Sequence, residues 1–223
     1  MKAMSIEQKT HEGEIKIGKF QENFSYNISK RLIDFLFSSF GILLFLPLFL
    51  LIGLLIKLED PKGPVLFKQV RVGKNGEEFY MYKFRSMVTD AEKQLENLLK
   101  YNEVNGLMFK MKDDPRVTKV GKFLRKTSLD EFPQLFNVLK GQMSLVGPRP
   151  ALPREVKEYN SYHKQRLLVV PGCTGLWQVT ARNTVGFEEM VNLDIEYIQK
   201  RTVFYDLKLI FSTFNVLLSK TGY

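Results

Sequence analysis

The longest uninterrupted apolar stretch of the chain is FLFSSFGILLFLPLFLLIGLLI, residues 35–56, lying between Asp34 and Lys57. A run of that length without a charge predicts a membrane helix, since core helices of water-soluble domains are shorter and alternate apolar with polar faces. A cleaved leader fits poorly, because the run starts late and no small-residue cleavage site follows it. Ser29 stands as the predicted N-cap of the helix. Pro47, near the middle, removes one backbone hydrogen bond to the carbonyl of Leu43 and predicts a bend. Lys30 and Arg31 precede the run, and Lys57, Lys62, Lys68, Arg71 and Lys74 follow it. Positive charge marks the cytoplasmic side of a membrane segment, so two basic flanks place both ends on one side. The pattern therefore predicts a proline-broken, re-entrant helix over residues 28–58. A kinked spanning helix is the competing reading.

The rest of the chain is patterned as a small α+β domain, mainly helical, over residues 59–223. Residues 1–27 are polar and without periodicity and are expected to be a tail. In VLFKQVRVGKNGEEFYMYKFRSM the pair Asn75-Gly76 separates two strand-like halves, which predicts a short β-hairpin. Residues 89–104 read as a solvated helix, and a turn at Asp114-Pro115 introduces a basic one. Residues 130–140 read as a helix closed by Gly141 at C′. VVPGCTGLWQVTARNTVG is a glycine-rich loop with a short strand in it, and residues 188–200 are helical. At the end of the chain Leu207, Ile210, Phe211, Phe214, Leu217 and Leu218 recur at helical spacing. That stripe either packs on the core or forms an interfacial helix lying on a bilayer.

Composition narrows the partners. The 223 residues carry 33 basic and 24 acidic side chains, a net charge of +9, which favours an anionic partner. With 44% apolar residues the chain has the means to build a core. Cys173 is the only cysteine, so no intrachain disulfide forms, and the two histidines, His11 and His163, show no zinc-ligand spacing.

The chemistry concentrates in TSLDEFPQLFNVLKGQMSLVGPRP, where Asp130 and Glu131 are adjacent. Helix capping alone would account for an acid here. Ser128 and Glu131 have the S-x-x-E spacing of a capping box. With Asp130 as N-cap, Pro133 falls at N3, where its missing N–H costs nothing. The surroundings support a second use. Arg125, Lys126 and Arg149 are near in sequence, and Pro148-Arg149-Pro150 holds its arginine on a stiff backbone suited to a bidentate phosphate contact. Carboxylates among cations suit Mg²⁺ with phosphate oxygens, and a carboxylate can serve as a covalent nucleophile.

The blocks MYKFRSM, KTSLDEFPQLFNVLKGQMSLVGPRP and PGCTGLWQVTARN, in this order over residues 28–223, resemble the bacterial sugar transferase family. These are monotopic polyprenol-phosphate phosphoglycosyl transferases, and the chain resembles their minimal catalytic unit. The resemblance implies that Asp130 attacks the β-phosphate of a UDP-sugar, that UMP leaves, and that polyprenol (undecaprenyl) phosphate then takes the phosphosugar. It implies Glu131 as a Mg²⁺ holder, Arg149 as a phosphate contact, Lys83 and Arg125 as further basic residues of the site, and Gln178 and Arg182 as nucleotide or sugar contacts. It also implies a re-entrant helix bent at Pro47. The expected setting is the cytoplasmic face of a bacterial inner membrane, with membrane lipids as neighbours, no nucleic acid, and a homodimer left open. The region after Pro150 leans towards glucose or galactose, for exopolysaccharide or O-antigen synthesis. Ala181 stands where the family commonly has glycine. The competing functions are a membrane-associated glycosyltransferase that moves no phosphate, and a non-enzymatic protein that binds anionic lipid or nucleic acid.

Overall fold

The computed structural model describes residues 23–103, 111, 113–181 and 185–218. Arg182 and the tail up to residue 22 lie outside the described residues.

The apolar run forms α1, Phe24–Glu59. The helix begins earlier than the sequence predicts, and Ser29 is inside it rather than capping it. The cap is Asn23, whose side chain accepts from the Tyr26 N–H at 3.1 Å, satisfying one of the first-turn donors. The extra turn is retained because Tyr26 is buried, its hydroxyl donating to Asp206 at 2.9 Å. Pro47 lies inside a helix that continues through it, so the expected break is not an interruption of helical structure. One proline removes a single ladder bond, and packing on both sides of it holds the helix. Phe45 and Phe49 contact Phe132, while Ile52 and Ile56 are buried with Phe84 and Leu124.

Both ends of α1 are tied to the same body of protein. At the N-terminal end Lys30 pairs with Asp206 at 2.7 Å, and Arg31 donates to the carbonyls of Val138 and Leu139, each at 2.6 Å. At the other end Glu59 accepts from the backbone N–H groups of Lys119 and Val120, and Asp60 pairs with Arg85 at 2.7 Å. The opposite face of α1 carries exposed Phe24, Ile28, Leu32, Phe35, Leu36, Leu43, Leu50 and Leu54.

The predicted hairpin is present as β1, Leu66–Val72, antiparallel to β2, Glu78–Phe84, with Val72 opposite Glu78 and Leu66 opposite Phe84. Asn75 and Gly76 both adopt positive φ in its turn, the backbone that this residue pair tolerates best. Then follow α2, Ala91–Leu98; α3, Lys119–Thr127; α4, Gln134–Leu139; and β3, Ser144–Val146. After these come α5, Pro153–Lys157; β4, Gly172–Thr174; α6, Leu176–Thr180; α7, Phe187–Lys200; and α8, Val203–Leu218. β3 and β4 pair in parallel, which local patterning did not predict. The core is built where α7 and α8 cover this pair: Val146, Val169, Leu176, Tyr197, Ile198 and Leu209 are buried together. Among the described side chains of α8 the buried apolar residue is Leu209, whereas Phe204, Phe211 and Phe214 are exposed.

Candidate active site

The acid pair lies on a single 3₁₀ turn, Leu129–Glu131, between α3 and α4. Ser128 closes α3 in the left-handed conformation, at φ 56° and ψ 17°. An L-residue enters that region at a cost of about 1–2 kcal/mol, so the surroundings must hold it there. The following helix starts at Gln134, with Pro133 before it, and neither Ser128 nor Pro133 provides a side-chain cap. The capping box that the sequence allowed is therefore not formed, nor is Asp130 the N-cap of α4. A tight reversal at Ser128 has replaced a continuous helix start, and it turns both carboxylates towards the end of β2.

Asp130 is buried, at 8% relative exposure. Burial pushes its carboxyl up to about 6, with a further push from Glu131, against the pull of Lys83 and Arg125. Glu131 is more open and pairs with Lys83, on β2, at 2.7 Å. Arg125, on α3, donates from Nε to the Ser86 hydroxyl at 3.0 Å. α3 can reach that strand end because residue 121 is glycine. A Cβ there would sit 2.0 Å from the Ser86 carbonyl oxygen. Thus Lys83, more than forty residues earlier in the chain, is brought together with Arg125, Asp130 and Glu131.

Arg149 is held on a second wall. Its guanidinium lies over the Trp177 indole at 5.8 Å, a cation–π distance. Its carbonyl accepts from Arg166 Nη2 at 3.1 Å. Arg166 in turn pairs with Asp194 at 2.7 Å, both side chains being at most 2% exposed, and donates to the Tyr159 hydroxyl. The next carbonyl, that of Pro150, accepts from Arg71 Nη1 at 2.8 Å, and the N–H of Val72 donates to Ala151. At the start of the Pro-Arg-Pro segment the Pro148 carbonyl accepts from the Gly172 N–H at 2.8 Å, and a Cβ on Gly172 would lie 2.0 Å from the nitrogen of the preceding Gly147. Gln178, on α6 beside Trp177, is half-buried, and its Oε1 has no hydrogen-bond partner among the described residues.

The two walls meet electrostatically at Arg71. Burial, then the nearby Arg149 guanidinium, press its pKa downward, while Glu155 and Glu131 oppose them. Arg166 and Trp177 were not singled out from the sequence, and Arg71, read there as one of the basic residues flanking the apolar run, is buried in the domain instead. The signal for Arg71 was a charged residue within a strand of apolar neighbours, sharing a face with Gln69, whose side chain accepts from it at 2.7 Å. Ala181 closes α6 at φ −144°, so no positive φ is required where the family commonly has glycine.

Among the described residues no cluster of three or more acidic, histidine or cysteine side chains could hold a metal. Asp130 and Glu131 are two adjacent carboxylates beside the basic Lys83 and Arg125. That donor set fits Mg²⁺, which commonly takes one or two carboxylates and completes its shell with phosphate and water.

Comparison with known proteins identifies the family of the chain. The sequence profile of the bacterial sugar transferase family matches residues 25–220. The galactosyl transferase CpsE of Streptococcus agalactiae serotype III is 48% identical over 200 residues, covering 89% of this chain and 44% of that protein. The undecaprenyl-phosphate galactose phosphotransferase of Salmonella typhimurium is 42% identical over 216 residues, covering 94% of this chain and 45% of that one. The exopolysaccharide production protein ExoY of Rhizobium meliloti is 43% identical, with 88% of each chain covered. The chain thus spans less than half the length of the first two relatives and most of the third.

Proposed function

The chain belongs to the bacterial sugar transferase family, and on that premise we propose that it transfers a sugar 1-phosphate from a UDP-sugar to polyprenol phosphate. The observation that carries this reading is a buried acid, Asp130, beside Glu131 within a frame of Lys83, Arg125, Arg71 and Arg149. A simple binding protein gains nothing from a buried carboxylate inside its cationic surface. A phosphoryl-transfer site needs both.

In the proposed reaction an Asp130 carboxylate oxygen attacks the β-phosphorus of the UDP-sugar. The bond from that phosphorus to the oxygen bridging the two phosphates breaks, and UMP leaves with the electron pair. An acyl phosphate between Asp130 and the sugar 1-phosphate remains. An oxygen of polyprenol phosphate then attacks the same phosphorus and releases the Asp130 carboxylate, giving a polyprenol diphosphate sugar. Glu131, with Asp130 near it, would hold Mg²⁺, which when bound neutralises charge on the phosphate oxygens. Lys83 and Arg125 balance the carboxylates and the incoming phosphates. Arg149, fixed by the Trp177 face and by Arg166, offers its guanidinium to a phosphate. Gln178 contributes an unpaired carbonyl oxygen towards donor hydroxyl or amide groups.

Galactose, named in two of the relatives above, and glucose are the proposed sugars, in exopolysaccharide or O-antigen-type synthesis. The proposed setting is the cytoplasmic face of the inner membrane. α1 is one helix long and apolar enough to cross a bilayer. Both its ends are bonded to one domain, which favours a re-entrant or surface-lying helix over a span of about 30 Å. Exposed Phe204, Phe211 and Phe214 favour the interfacial reading of α8.

The test uses UDP-galactose and UDP-glucose carrying a radioactive β-phosphate. Label should enter lipid while unlabelled UMP is released, and without acceptor it should stay on the protein. Asp130→Asn should abolish the labelled protein. Release of labelled UDP would identify sugar transfer without phosphate, and normal turnover by Asp130→Asn would overturn the nucleophile assignment.

A further inference from the structure

Away from the acid pair, a cavity of about 170 Å³ opens at the N-terminal end of α1. Asn27, Lys30, Arg31 and Asp34 line it from successive turns of the helix. Lys74 comes from the hairpin turn and Arg201 from the end of α7. The volume is that of several water molecules at about 30 Å³ each, enough for a phosphate group. Four of the lining side chains are basic. Against them stand Asp34 in the wall and Asp206, which pairs with Lys30. The catalytic frame shares none of these residues. Asp130 and Gly141, the nearest wall residue in sequence after it, are separated by α4.

The position of the cavity determines which anion it would meet. Lys30, Arg31 and Asp34 are the last charged residues before the apolar run begins at Phe35. On the same stretch of helix Phe24, Ile28, Leu32, Phe35 and Leu36 are exposed and apolar. Basic residues at that boundary sit at headgroup depth, and apolar ones beside them run along acyl chains. A soluble anion would use the charge and leave the apolar strip unused. A lipid phosphate uses both. We propose that this cavity binds the phosphodiester headgroup of an anionic glycerophospholipid, with the acyl chains lying along the exposed face of α1. The proposal rests on the membrane-associated reading of α1 but not on the phosphotransfer reaction.

The test is a titration of the full-length protein in neutral detergent with short-chain phosphatidylglycerol, followed by intrinsic fluorescence and thermal shift. Saturable binding is expected, with none for the matching phosphatidylcholine. The double variant Lys74→Gln/Arg201→Gln should raise the half-saturation concentration about tenfold or more, the equivalent of roughly one charged hydrogen bond. Lys74→Gln alone, in an exposed turn, should raise it in part, which guards against a folding defect at Arg201. Phosphotransfer measured without added phospholipid should be the same in wild type and variants. If phosphotransfer is absent while the titration behaves as expected, the site stands and the proposed reaction falls. Unchanged binding in the double variant would overturn the site. Equal binding of phosphatidylcholine would also overturn it. Full displacement by millimolar inorganic phosphate would identify a free-anion site instead. Displacement by polyprenol phosphate at equimolar concentration would assign the cavity to the acceptor and overturn the phospholipid assignment.

Discussion

The Arg166–Asp194 pair supplies the sharpest test of how Arg149 is positioned. Both side chains are at most 2% exposed. Removing one partner of such a pair strands a buried charge and costs about 3–5 kcal/mol, whereas replacing both by apolar residues of similar size is commonly neutral or stabilising. Asp194→Ala should therefore lower the unfolding free energy by about 3–5 kcal/mol, a large part of an ordinary domain's 5–15 kcal/mol. Arg166→Met/Asp194→Leu should recover most of that loss in a denaturant titration. Activity should not follow. Arg166 also holds the Arg149 carbonyl at 3.1 Å, and a hydrogen bond from a charged donor is worth about 1.5–3 kcal/mol. The double variant should thus keep its stability yet lose about 10- to 100-fold in kcat/KM for the UDP-sugar, the rate equivalent of that bond. The KM for polyprenol phosphate is the internal control and should move less. If the double variant regains wild-type kcat/KM along with stability, Arg166 acts only through the fold, and the positioning argument is wrong.

Two other predictions concern the frame around the acids and the anchor. Gly121→Ala places a methyl 2.0 Å from the Ser86 carbonyl oxygen. α3 must then move away, and the cost should reach about 1–3 kcal/mol, as for overpacking elsewhere. The Arg125–Ser86 bond should break with it, so activity should fall even at temperatures where circular dichroism shows a folded chain. In a Cys173→Ala background, single cysteines replacing exposed Ser25 and Lys62 stand on either side of the apolar run. Both should react with a membrane-impermeant thiol reagent from the same side of sealed vesicles, and labelling from opposite sides would refute the re-entrant reading.

The sequence disclosed elements governed by local physics. The Asn75-Gly76 turn, the solvated α2, the basic α3 after Asp114-Pro115, the helix from Phe187 to Lys200, and Gly141 at positive φ after α4 are all written in residues next to each other. The site was legible in part for the same reason: Asp130, Glu131 and Arg149 fall in one block. Its assembly was not. The β3–β4 pairing depends on glycines 25 residues apart in sequence, Gly147 and Gly172, meeting at backbone distance, and periodicity has no access to such a contact. Ser128 shows the limit most clearly. Its S-x-x-E spacing is a helix-start signal, yet tertiary packing uses it as the left-handed end of α3. Arg166 went unmarked because a buried arginine looks like any surface arginine until its partner, Asp194, is placed against it.

That packing also explains why the most apolar element and the most polar turn of this chain belong to one device. Phe45 and Phe49 stand on either side of Pro47 and meet the ring of Phe132 at 5.2 and 6.3 Å. Phe132 directly follows Glu131. The middle of α1 is therefore the surface on which the acid turn rests, and the proline lies where the helix supports it. A helix lacking one ladder bond at that point yields there more readily than elsewhere. Any bend imposed on α1 by the bilayer reaches the acid pair through two aromatic contacts. An anchor built only to hold the protein to a membrane would have no need to touch the residue next to the chemistry. In this fold it does, so under the proposed reaction the depth and angle of α1 would be part of the geometry in which Asp130 meets a lipid-borne phosphate.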